Sequence, residues 1–197
     1  MSTHTSSQGI TNYFGFVMPA VAWTSIIMMT LIHPLDLNEP LSQYGYYEST
    51  HLFFGVSLSL GALVWYLFSR HLDQYWRYTS LCTLLASACY AVVAWVPYQP
   101  YVNTFIFDLH NIMIVLAATL YSAPMLFIAY SKKHAAIARL SGYLFVIAII
   151  LVVTSLVARV AGHGILYAQL LTLLPTSAWL IMVNYLHLQH QRKSHTL

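Results

Sequence analysis

The sequence predicts an all-α fold: an integral membrane bundle of six transmembrane helices with both termini cytoplasmic. Three observations predict it. The 197-residue chain is 59% hydrophobic and only 7% charged, whereas a soluble domain carries about 25% charged residues. Six apolar runs approach the roughly 20 residues that cross a bilayer. The lysines and arginines gather in alternate connections. A surface this poor in charge belongs in lipid, and none of the runs alternates at period two, which argues against a barrel. The whole length, 1–197, is expected to form one transmembrane domain, with a polar tail at 189–197.

The first run, 12–32, has no Lys or Arg before it and no small-residue cleavage site after it, so it reads as a retained span. The second, 51–68, carries Gly55, Ser59 and Ala62 on one face, a small-residue stripe suited to close helix contact. The third, 78–96, holds Cys82 and Cys89, seven apart. Helical rise separates them by roughly 10 Å, too far for a disulfide. They read as small core residues rather than a redox pair.

The fourth run, 105–130, opens on IFDLHN, which places Asp108, His110 and Asn111 at its edge. Asp108 is expected to cap this helix, with Phe107 and Ile112 as a hydrophobic staple. Ala118 and Ser122 repeat the small-x-x-x-small spacing. The fifth run, 140–160, ends at Arg159, and the sixth covers 165–188. Pro19, Pro124 and Pro175 lie inside runs and are expected to kink them.

The connections set the orientation. Arg70 and Arg77 flank the second, Lys132, Lys133 and Arg139 the fourth, and Arg192 and Lys193 lie in the tail. The remaining connections hold Asp36, Glu39, Glu48 and Asp108, with Arg159 as their one basic neighbour. By the positive-inside rule the basic connections are cytoplasmic, and only an even number of spans fits the alternation. Aromatic residues near the run ends, among them Tyr44, Tyr47, Trp65, Trp76, Tyr78 and Trp95, suggest an interfacial belt. The tail residues HLQHQRKSHTL read as a frayed end.

Candidate site residues converge on the outer side. His110, Asn111 and Asp108 come from the fourth span, and Arg159 and His163 from the end of the fifth. His51 opens the second span. Glu39, Ser42 and Tyr44 come from the first outer connection, whose prolines and Gly45 suggest an ordered loop over the bundle mouth. Arg159 is expected to pair with Asp108, Glu48 or Glu39, or to anchor a phosphate or carboxylate. Asp108 and His110 lie about 200° apart around their helix, so they face different neighbours. Three histidines from three helices, His51, His110 and His163, suggest a zinc site with an open position for water. A haem held by His51 and His110 is the alternative cofactor, with His71 and His134 as the inner pair.

Ser42-Gln43-Tyr44-Gly45 before the second span, Pro97 closing the third and His110 opening the fourth carry a resemblance. The chain resembles the six-span bacterial membrane family called domain of unknown function 998 and, more remotely, Frag/DRAM-type membrane proteins. The resemblance implies a six-helix bundle with a polar outer cluster in the bacterial inner membrane. It implies no reaction, and it favours a lipid head group as ligand. The acidic insertion Asp36-Leu37-Asn38-Glu39 departs from the pattern.

The expected function is therefore a multi-pass membrane protein with an outer pocket for a lipid head group or small polar ligand. Membrane lipids are the expected partners, and nucleic acid is not. A metal-dependent membrane hydrolase acting on lipid is the second reading, a b-type haem electron carrier the third and a small transporter the fourth. Enzymatic activity and oligomeric state are left open by the sequence.

Overall fold

In a computed structural model the described residues are 13–73, 76–96, 104–131 and 135–194, with the side chains at 71, 159 and 190–194 outside the description. These residues form six long helices: α1 (Phe14–Ile32), α2 (His51–Leu72), α3 (Thr79–Trp95), α4 (Thr104–Ala129), α5 (Ala135–Ala161) and α6 (Ile165–Ser194). A short 3-10 turn, Leu41–Gly45, lies between α1 and α2. Five of the helices are long and apolar enough to cross a membrane, while α3, at 17 residues, is apolar but shorter. The chain is a helical membrane bundle. Lipid leaves no solvent for backbone N–H and C=O groups, and a helix satisfies them internally.

Each helix packs on its sequence neighbours, and α6 closes the ring on α1. Packing across the ring is densest toward the end where α6 finishes, here the tail end. Trp65 of α2 is fully buried there, with its ring 4.4 Å from Tyr121 and 5.7 Å from Trp179. Trp179 donates its indole N–H to Ser141 at 2.8 Å, tying α6 to α5. Phe68, Leu72, Met125, Ile128 and Val183 complete this core. At the same end Asp73 accepts the backbone N–H and the hydroxyl of Ser80, satisfying donors of the first turn of α3.

The opposite half of α5 is bare, with Val153, Val157 and Val160 exposed. An exposed apolar face of this kind suits a helix set against lipid. The α5–α6 turn reverses the chain through Gly162 and Gly164, at φ +71° and +65°. His163 N–H bonds back to Ala158 O at 3.1 Å, which closes a Schellman-type cap.

Several sequence expectations change. Trp65 and Tyr44 belong to no aromatic belt, because both are buried within the bundle. The tail is not frayed through Ser194, since α6 continues that far. The small stripe of α2 does face a neighbour. Ser59 accepts the Trp95 indole N–H at 3.2 Å, and Ala62 O accepts Ser87 Oγ at 2.8 Å, both from α3. Cys82 and Cys89 are free thiols.

Candidate functional site

The candidate residues lie at the other end of the bundle, here the capped end, and the connection 33–50 organises it. Asp36 Oδ1 accepts Asn38 N–H at 2.9 Å, and Glu39 Oε2 accepts Asp36 N–H at 2.8 Å, so the acidic insertion folds on itself. Glu39 Oε1 also accepts the Tyr47 hydroxyl at 2.7 Å. That hydrogen bond, helped by partial burial and the Glu39 charge, holds the Tyr47 phenol above its ordinary pKa. The His33 ring stacks on Tyr47 at 3.7 Å.

Tyr44 is a post beneath this loop. Its hydroxyl shares a 2.6 Å hydrogen bond with Thr30 of α1, and its carbonyl accepts Thr50 Oγ at 2.7 Å. Met29 and Phe54 pack around it. Ser42 is buried beside it. Both residues sit inside the loop's own packing rather than on an open surface.

Three hydrogen bonds fasten the loop to the α5–α6 turn and the start of α6. Gly164 N–H donates to Asn38 Oδ1 at 2.9 Å, and Leu166 N–H to Leu37 O at 3.1 Å. Leu41 N–H donates to Gln169 Oε1 at 2.7 Å. The connection between α1 and α2 is thereby held to the start of α6.

The histidines separate. His51 Nδ1 lies 2.6 Å from Gly45 O and His110 Nδ1 lies 2.7 Å from Val96 O. A carbonyl only accepts, so each Nδ1 carries the proton. Both rings lie beside the end of α3, where the Trp95 ring stands 6.2 Å from His51. His110 is fully buried, His51 half-buried and His163 exposed on the α5–α6 turn. Among the described residues no three His, Cys, Asp or Glu side chains gather closely enough to hold a metal ion. The expected zinc triad of His51, His110 and His163 is therefore not assembled, because His163 belongs to a turn fastened to Asn38 and not to α3.

At the level of His51, α2 and α3 are in close contact: a methyl group at Gly55 would stand 3.2 Å from both Ala94 O and the Trp95 ring. The expected inner haem ligands, the His71 side chain and His134, lie outside the described residues.

Asp108 is exposed and lies in the second turn of α4, which already begins at Thr104. It is not the cap of that helix, and Phe107 with Ile112 is not its staple. Asn111 is half-buried one turn further on. Arg159 belongs to the last turn of α5, and its side chain lies outside the description, as does Pro97.

Sequence reasoning missed the residues that hold the loop: Asn38, Tyr47, Thr30 and Gln169. Gln169 carried a usable signal, being an amide within an apolar run. The others looked like ordinary loop or span residues. Compared with known proteins, the chain matches no family model, no curated protein and no solved structure.

Proposed function

We propose that the chain is a six-span protein of the bacterial inner membrane whose capped end faces outward and binds a lipid head group or small polar ligand. The fastening of the loop by Asn38, Leu37 and Leu41 to Gly164, Leu166 and Gln169 carries this reading. A connector needs no such anchorage. A binding surface gains from it, because ordering the loop before the ligand arrives lowers the entropy lost on binding. Toward this end Glu48, Asp108 and His163 are exposed, and Asn111 is half-buried. Arg159 supplies the one basic group of this end in the sequence.

Orientation is supported by the charges: Arg70, Arg77, Arg139 and the tail cations lie toward the opposite end. The sixth crossing is supported by α3, whose first turn is capped from Asp73 and whose far end meets His110 through Val96. At 17 residues it rises about 25 Å, a mismatch that local thinning of the bilayer accommodates.

The test is mass spectrometry of the lipids and small molecules that accompany the protein from mild detergent. One polar species enriched over the bulk extract, and lost in Asp108→Ala or His163→Ala, is the expected result. No enrichment, or enrichment untouched by both substitutions, overturns the reading.

A further inference from the structure

We infer an interior water site at the middle of the bundle, where the Trp65 indole N–H of α2 meets open space beside Gly61. It is independent of the capped end.

Gly61 is buried, yet a methyl group added to it would meet, among the described residues, nothing within 4 Å. At other buried glycines the same methyl is met closely, at 2.6 Å on Gly15, 3.0 Å on Gly45 and 3.2 Å on Gly55. The space has a definite place in the packing, because α2 enters two separate apolar cores. Phe54 packs with Met29 and Tyr44 toward the capped end, and Trp65 packs with Tyr121 and Trp179 toward the tail end. Gly61 lies between the two, midway along α2.

An indole marks this space as polar. Three tryptophans each donate to a serine hydroxyl of another helix: Trp23 to Ser177 at 3.1 Å, Trp95 to Ser59 at 3.2 Å and Trp179 to Ser141 at 2.8 Å. Trp65 is fully buried, and its N–H has no partner among the described residues. It follows Gly61 by one helical turn on the same face. A long helical side chain leans toward the N-terminus of its own helix, so the Trp65 ring leans toward Gly61.

Water suits this position. Purely apolar cavities stay dry, whereas one with polar partners holds water that makes about three hydrogen bonds. The indole supplies a donor, and the backbone supplies acceptors. A hydroxyl on a helix bonds the carbonyl three or four positions back, as Thr30 does to Ile26 and Ser122 to Ala118. A water lodged where such a hydroxyl would stand at position 61 reaches the carbonyls of Ser57 and Leu58 in the same way, because glycine lets it approach the backbone.

The test is NMR of the full chain in mild detergent with isotopically labelled tryptophan side chains. Trp65→Phe identifies the Trp65 indole resonance by its disappearance. That resonance should show a cross-peak to water. Gly61→Ala fills the space, so it should abolish the cross-peak and move the indole proton upfield. Gly61→Ser puts a hydroxyl in place of the water and should keep that proton at its hydrogen-bonded shift. Four results would each overturn the site: no water cross-peak in the unsubstituted protein, a cross-peak to acyl-chain protons instead, a water cross-peak undiminished by Gly61→Ala, or an indole shift in Gly61→Ser no different from that in Gly61→Ala. The third is what relay through the Tyr121 hydroxyl would give. Failure of Gly61→Ala to fold would deny the space itself and overturn the site as well. The capped-end reading depends on Asp108 and His163, so the two can fail separately.

Discussion

Asn38 and Gly164 stand 126 positions apart, yet Gly164 N–H donates to Asn38 Oδ1 at 2.9 Å. The first connection of the chain is thereby joined to its last turn. That turn is conformationally specified, because Gly162 and Gly164 both take the left-handed backbone that side chains disfavour. Asn38→Ala removes the acceptor and keeps the turn. It should cost about 1 kcal/mol of stability and speed amide hydrogen exchange at Gly164, Leu166 and Leu41 together. Faster exchange at Gly164 alone would mean that the three bonds are not a single fastening.

The Tyr47–Glu39 pair gives the capped end an alkaline limit. Tyr47 keeps its proton to higher pH in the folded chain than in the unfolded one, chiefly through its hydrogen bond to Glu39. For a group whose folded pKa is raised, the stabilisation is complete below the unfolded pKa of about 10 and is lost as pH rises through the folded value. Phenolate absorbance, taken as the difference between the native chain and Tyr47→Phe, should show one tyrosine ionising late. Adding Glu39→Ala to both should bring that ionisation to lower pH. Superimposable difference curves with and without Glu39 would contradict the pairing.

Gly15 and Gly61 should respond oppositely to alanine. A methyl group on Gly15 would stand 2.6 Å from Asn184 Cβ and 3.0 Å from Leu180 O, so α1 approaches α6 at backbone contact. Gly15→Ala forces the two helices apart and should cost roughly 1–3 kcal/mol. At Gly61 an added methyl meets nothing within 4 Å. Gly61→Ala should be neutral or stabilising by up to about 1 kcal/mol through helix propensity. Thermal unfolding in detergent compares them, and equal melting temperatures would refute the close α1–α6 approach.

His110 and His163 should also separate. His110 is fully buried and supplies the partner for Val96 O at the end of α3, so His110→Ala leaves a carbonyl short of its donor and a cavity beside it. A loss of about 2–4 kcal/mol is expected. His163 is exposed, and His163→Ala should change stability by less than about 0.5 kcal/mol. Comparable losses at the two positions would restore the idea of a shared site.

The helices were legible in the sequence because lipid demands long apolar runs, and the capped end was legible as the place where acids and histidines collect. Which face of each run points inward was not. A helix apolar all round carries no stripe to mark its buried side, so Trp65, the centre of the core, looked like one more ring near a run end. The histidine grouping failed for a related reason. Similar depth along three helices says nothing about which helices adjoin, and the turn bearing His163 is fastened to Asn38, away from α3. Every loop fastening uses a backbone N–H as its donor, which leaves no trace in residue type, so only the acceptors Asn38 and Gln169 could be read, and without their partners.

Asn184 offers the sharpest test of the core. Its side chain is fully buried in α6, and among the described residues neither its amide nitrogen nor its oxygen has a hydrogen-bond partner. Trp65 Nε1, in the same half of the bundle, likewise has no partner among the described residues. Two polar groups on one residue, held away from water without compensation, should cost roughly 1–3 kcal/mol. Leucine branches at the same atom and has the same number of side-chain heavy atoms, so Asn184→Leu keeps Cβ and Cγ against Gly15 and removes the uncompensated groups. It should raise the melting temperature, whereas Asn184→Ala, which opens a cavity against Gly15 and Leu180, should lower it. A fall with leucine as large as that with alanine would show that the carboxamide is bonded within the bundle, and the packing of α1 on α6 described above would then have to change.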